Sequence, residues 1–132
     1  MIGSTTICFL LIFFACSPCI FAQREKIVLR AHYGIITAGY ADLITTSGAD
    51  GNQHVHLTFK TTNLAEKLFR YNYSFQSYFR KADYLPTIFA CDMKEKKYNY
   101  SDSIYYNHPD KYLESNKHGK VDFNGPVYDI LS

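Results

Sequence analysis

At 132 residues, 47% apolar and 17% aromatic, the chain makes one globular domain at most and is too apolar to be a disordered segment. Its 14 Lys and Arg against 12 Asp and Glu give a formal charge of +2. That total is too small to hold a nucleic-acid backbone or an anionic bilayer, since each needs several clustered basic side chains. Net charge therefore names no partner.

Residues 1–22 carry no acidic or basic side chain, and Arg24, Glu25, Lys26 and Arg30 follow at once. The apolar run from Ile7 to Ala15 has the length of a signal-peptide core, and Ala22 is a small residue at the boundary. This predicts a signal peptide over residues 1–22 and an exported product in the periplasm or cell envelope. A membrane span needs about 20 apolar residues, and Ser17 and Pro18 interrupt the run too early. Phe13-Phe14-Ala15-Cys16 loosely resembles a bacterial lipoprotein cleavage box, so a form lipid-anchored through Cys16 is the lesser alternative. Cleavage after Ala22 takes three of the four cysteines and leaves Cys91, so no disulfide can form within the mature chain. The setting Ile88-Phe89-Ala90-Cys91 reads as a buried, inert thiol.

The rest, residues 23–132, reads as a single β-rich domain. Strands are predicted over 25–33, 35–45, 53–61, 71–80, 84–91 and 96–106, with Gly34 and Gly39 permitting bends. In 53–61, Val55, Leu57 and Phe59 alternate with His54, His56, Thr58 and Lys60. In 71–80, Tyr71, Tyr73 and Phe75 alternate with Asn72, Ser74 and Gln76. Each is the period-two pattern of a strand with one wet face. A slip of one residue would expose the whole apolar row at about 1.5–3 kcal/mol per large side chain, so these rows decide the register. An Asp50-Gly51 turn joins two strands as a hairpin, and Pro86, which cannot donate to a ladder, belongs at an edge or bulge. Asn63 and Glu66 have capping-box spacing, predicting one short helix over 64–69. After Tyr106 the pattern weakens, and Asp129 could begin a helix with no room to run.

No catalytic site follows from the residues. His54 and His56 share a strand face, but a zinc site usually needs three or four ligands and no third is near in sequence, so the pair reads as part of a solvated face. Glu66, Asp83 and Asp102 are scattered carboxylates without an identifiable partner. The run from Lys94 to Tyr100 mixes basic and aromatic residues as single-strand binders do. The predicted export argues against nucleic acid, and the run reads as a charged turn and then a strand on which Tyr98, Tyr100, Ile104 and Tyr106 share a face, with Asp102 the exception. Asn72-Tyr73-Ser74 and Asn99-Tyr100-Ser101 fit the N-glycosylation pattern, which matters only in a eukaryote.

Across residues 26–106 the order of features resembles a family of exported bacterial proteins, domain of unknown function 3108. The resemblance is carried by Leu29-Arg30-Ala31-His32-Tyr33-Gly34, Ile36-Thr37-Ala38-Gly39-Tyr40-Ala41-Asp42-Leu43, His54-Val55-His56, Thr61-Thr62-Asn63-Leu64, Phe69-Arg70, Tyr78 and Tyr84-Leu85-Pro86-Thr87-Ile88-Phe89. It implies an antiparallel meander forming a partial barrel or half-barrel of the YceI or lipoprotein-carrier type around an apolar ligand, with no known activity and no functional residue to carry over. The segment from Val127 to Ser132 looks like the opening of the family's next part, which implies a C-terminally truncated member. A closed barrel with room for a ligand takes about eight strands, and about six are counted here, so open edges are expected to cause poor solubility or pairing with another chain.

Together these readings give a non-enzymatic exported protein binding a lipid-like or other apolar molecule, with Val55, Leu57, Phe59, Tyr71, Tyr73 and Phe75 lining the site and with no cofactor or metal. The alternative is an envelope structural or protein-interaction domain in which the same residues fill a core.

Overall fold

The computed structural model describes residues 23–132; the predicted signal peptide and Cys16 lie outside them. Among the described residues, eight strands form one antiparallel sheet in sequence order. They are β1 (Gln23–Tyr33), β2 (Ile36–Ser47), β3 (Asn52–Thr61), β4 (Tyr71–Arg80), β5 (Pro86–Glu95), β6 (Asn99–Asn107), β7 (Tyr112–Ser115) and β8 (Gly119–Asp122). Every strand pairs with its neighbours in sequence, and β1 and β8 are the two edges of an open meander.

Two strands exceed the six expected. The β7–β8 hairpin falls where the apolar pattern fades, and each of its strands is only four residues long. The expected strand over 84–91 is displaced to Pro86–Glu95, and the next begins at Asn99 because Lys96-Lys97-Tyr98 is spent on the turn. There the Glu95 amide donates to the Tyr98 carbonyl at 2.7 Å.

The expected helix over 64–69 is reduced to a 3-10 turn at Ala65–Lys67, and Asn63 is not its cap. The N-cap is Leu64, without a side-chain cap bond, and Thr62 anchors the loop instead: its hydroxyl donates to the Thr37 carbonyl at 2.8 Å and accepts the Ala65 amide at 3.4 Å. With the Thr62 amide also bonded to the Ala38 carbonyl, the loop is tied to β2. A segment held at its start and due to enter β4 at Tyr71 has no length for further turns.

The central ladder follows from the apolar rows. Val55 pairs with Ser77, Leu57 with Phe75, and Phe59 with Tyr73. Directly opposed residues of an antiparallel pair share a face, so the two rows merge into one. That face continues through Ile27 and Leu29 of β1, Ala41 and Leu43 of β2, and Phe89 and Met93 of β5. The opposite face carries His54, His56, Lys60, Ser74 and Gln76. Pro86 opens β5 opposite Phe79, where the β4–β5 register shifts, as its missing donor requires. In the β2–β3 turn Asp50 accepts the Asn52 side-chain amide at 2.8 Å and the Asn52 backbone amide at 3.1 Å, and these two bonds hold the carboxyl below its ordinary value.

One glycine is fixed by crowding. A Cβ on Gly39 would lie 2.7 Å from the Lys60 carbonyl oxygen and 2.8 Å from Cζ of Phe59, whose ring lies over the bare backbone. Backbone on one side and a packed ring on the other leave no cheap relaxation. Gly39→Ala is expected to cost about 1–3 kcal/mol, read as a lower urea midpoint with an unchanged slope.

Candidate functional site

The six residues singled out in the sequence occupy one face of adjacent strands, in the β3–β4 register described above. Their rings form a continuous row. Tyr71 and Tyr73 have centroids 5.6 Å apart, Tyr73 and Phe75 6.1 Å, and Phe59 and Tyr73 6.3 Å. The row extends at its ends to Phe69 beside Tyr71 and to Phe89 beside Phe75. Val55 is buried, Leu57, Phe59, Tyr73 and Phe75 are half-buried, and Tyr71 is exposed. The Tyr73 hydroxyl donates to Glu95, and losing that bond on ionisation pushes the phenol up to about 12.

Cover over this face comes from the C-terminal segment, which reaches back from the far edge to the middle of the sheet. Ser77, fully buried on β4, donates from its hydroxyl to Asp129 Oδ2 at 2.5 Å. Asp129 Oδ1 accepts the amides of Leu131 at 2.7 Å and Ser132 at 2.8 Å, and Ser132 Oγ accepts the Asp129 amide at 3.1 Å. This reciprocal pattern is that of a capping box, with Asp129 at the cap. Burial, followed by the charge of Asp129, pushes the Tyr106 phenol up to about 12. The segment thus covers the Ser77 end of the aromatic row and leaves Tyr71, at the other end, exposed.

On the opposite face, His54 and His56 stack with centroids 6.3 Å apart. His54 pairs with Gln76 at 3.3 Å and His56 with Ser74 Oγ at 2.9 Å. Burial and then the neighbouring His54 push His56 below its ordinary value. Among the described residues no group of three or more His, Cys, Asp or Glu is placed to hold a metal ion. Cys91 is half-buried opposite Phe75, not fully buried, and burial raises its thiol.

The carboxylates resolve separately. Glu66 reaches Arg70 at 3.8 Å, and Asp83 reaches Arg80 at 2.6 Å. Asp102, the exception in the β6 row, is buried on the apolar face. It accepts Ser115 Oγ at 2.6 Å, the Ser103 amide at 2.8 Å, the Lys117 amide at 3.2 Å and the Tyr100 hydroxyl at 3.3 Å. Ser115 Oγ in turn accepts the Lys117 and His118 amides, so one carboxylate organises the β7–β8 turn. The sequence marks Asp102 as the exception on an inward-facing row, where a carboxylate must be satisfied, but its partners Ser115 and Lys117 lie 13 and 15 residues on, outside any local pattern.

A second apolar feature was also missed. Tyr33, Ile36 and Ala38 meet Leu64, Ala65, Leu68 and Phe69 around a groove of about 280 Å³ at one end of the sheet. None of the six expected residues lines it. Its two halves are far apart in sequence and meet through the Thr62 bonds to Thr37 and Ala38.

A model of the family described as "Protein of unknown function (DUF3108)" matches residues 29–132. No curated protein and no solved structure matches the chain significantly.

Asp102 yields a pH dependence with a definite sign. Burial raises its carboxyl, but the four hydrogen bonds outweigh that and leave it below the ordinary value. A depressed folded pKa adds stability that is present above the unfolded value of about 3.9 and is lost as pH falls through the folded value. Asp102→Asn is expected to cost about 1.5–3 kcal/mol at pH 7, with faster amide exchange in the β7–β8 turn. In urea titrations across pH, its gap from the parent protein should close below about pH 4.

Proposed function

Since the chain belongs to the DUF3108 family, whose description assigns no activity, we propose from its own geometry that it is a non-enzymatic exported protein that holds a lipid-like or other apolar molecule against the inner face of the sheet. Val55, Leu57, Phe59, Tyr71, Tyr73 and Phe75 line that site. The observation that carries this reading is the unbroken aromatic row of Phe59, Tyr71, Tyr73 and Phe75, whose members keep part of their surface accessible. Half-buried rings offer a ligand area that a filled core would already have used. The hydroxyls at one end of the row, with Tyr73 tied to Glu95, would orient a polar headgroup while the rings take the hydrocarbon. Export to the periplasm or envelope enters through the composition of residues 1–22.

A second reading is favoured by the Ser77–Asp129 bond. If the C-terminal segment fills the face permanently, the same residues form the core of an envelope structural or interaction domain. The two readings differ in what co-purifies. On the first, native mass spectrometry of the protein taken from its host envelope finds a bound apolar molecule. Phe59→Ala or Tyr73→Ala then weakens binding of an apolar fluorophore by about tenfold or more, one ring being worth about 1.5–3 kcal/mol. Tyr78→Ala, on the other face, leaves binding unchanged. No adduct, together with parental dye binding in both inner-face variants, leaves the structural reading.

A further inference from the structure

The meander sends its turns alternately to two ends, and these ends differ in charge and in apolar exposure. The β1–β2, β3–β4, β5–β6 and β7–β8 connections share one end. They carry Lys67, Arg70, Lys96, Lys97 and Lys117 against Glu66 alone. Glu95, the last residue of β5 there, accepts the Tyr73 hydroxyl and adds one negative charge, which leaves the end basic. The connections at the other end carry Lys81 and Lys111 against Asp50, Asp83 and Asp110. A net charge that looked negligible over the whole chain is therefore concentrated at one end.

The basic end is also where apolar side chains project. Ile35, at the tip of the β1–β2 turn, is fully exposed, Tyr33 is 83% exposed and Leu68 is 80% exposed. Leu64 joins them at the rim of the groove that lies between the two loops. Large apolar tips in water are costly to display and mark a contact surface when they cluster. Among the described residues Lys67, Lys96 and Lys97 make no ion pair with a carboxylate, so their charge is available to a partner.

We propose that this end docks on the interface of a bilayer containing anionic lipid, with Ile35, Leu64 and Leu68 entering the acyl boundary, Tyr33 at headgroup level, and Lys67, Lys96 and Lys97 on the phosphates. Apolar tips with lysines at the same end of the sheet are the chemistry that an anionic lipid surface selects: acyl chains take the tips, and the negative surface potential attracts the cations. A second copy of the chain is disfavoured as occupant, because apposing two such ends sets lysine against lysine. The proposal does not depend on a ligand on the inner sheet face; an empty inner face leaves the end unchanged.

The chain contains no tryptophan, so single probes can be placed cleanly. In the full chain, Tyr33→Trp marks the basic end and Tyr84→Trp, 52% exposed in the β4–β5 turn, marks the other. Each is mixed with vesicles of phosphatidylglycerol and phosphatidylcholine with brominated acyl chains, and circular dichroism confirms the strand content of each variant. The expected result is a blue shift and strong quenching for the Tyr33→Trp protein, little change for the Tyr84→Trp protein, and a several-fold weaker effect on the first when Lys96 and Lys97 are both changed to Gln or when salt is raised. Residues 1–22 join the sheet at Gln23, the start of β1 at the Tyr84 end, so attachment through them would favour quenching of the Tyr84→Trp protein, the reverse of the expected result. Equal quenching of both probes, quenching of neither, or insensitivity to the lysine changes overturns the proposal. A concentration-dependent blue shift of the Tyr33→Trp protein without vesicles also overturns it, in favour of self-association.

Discussion

The pairing of β3 with β4 is the constraint on which the rest of the molecule depends. Leu57 opposite Phe75 and Phe59 opposite Tyr73 put the apolar rows of the two strands on one side. Once that register is set, each neighbouring strand must present its own apolar row to the same side or lose burial along its whole length. Leu43 against Leu57, and Cys91 against Phe75, carry the pattern outward without a break. The sheet is consequently a molecule with two unlike faces, one aromatic and one of histidine, serine, glutamine and lysine.

A single antiparallel sheet cannot bury its own apolar side. Part of the answer is the C-terminal segment, pinned by Ser77 and Asp129. Its effect is local: among the described residues the fully buried side chains are Ser77 and Pro86, both near the covered end of β4 and β5. Burying a serine there is tolerable only because its hydroxyl has a carboxylate to donate to, just as burying Asp102 is tolerable only because four donors converge on it. The Ser77–Asp129 bond attaches the C-terminal segment to β4, and the Asp102 network ties the β7–β8 turn to β6.

What was legible in the sequence was whatever obeys a period of two over enough residues. The rows of β3 and β4, the Asp50-Gly51 turn, the placement of Pro86 and the shared face of the six candidate residues all follow from that rule. β7 and β8 were not legible because each is four residues long, and their hairpin is specified by Asp102 and Ser115 across a gap in sequence. The short helix lies where the spacing of Asn63 and Glu66 puts it but is cut to one 3-10 turn, because Thr62, one residue earlier, ties the loop to the β2 edge. The groove between Tyr33 and Leu68 was invisible for the same reason as the one-ended charge. Both arise when turns distant along the chain are brought side by side, and no local window contains them.

The strictly sequential order of the strands also bears on how the molecule assembles and comes apart. With each strand bonded only to the one before and the one after it, no contact in the sheet waits for a remote partner, so pairing can advance hairpin by hairpin. Energetically the ladder behaves like a row of tiles, each held by its two borders. The first tile to lift is an outermost one, β1 or β8, and its departure leaves the aromatic centre intact. Fraying at the margins and persistence in the middle are thus a property of the topology itself, independent of which side chains fill it.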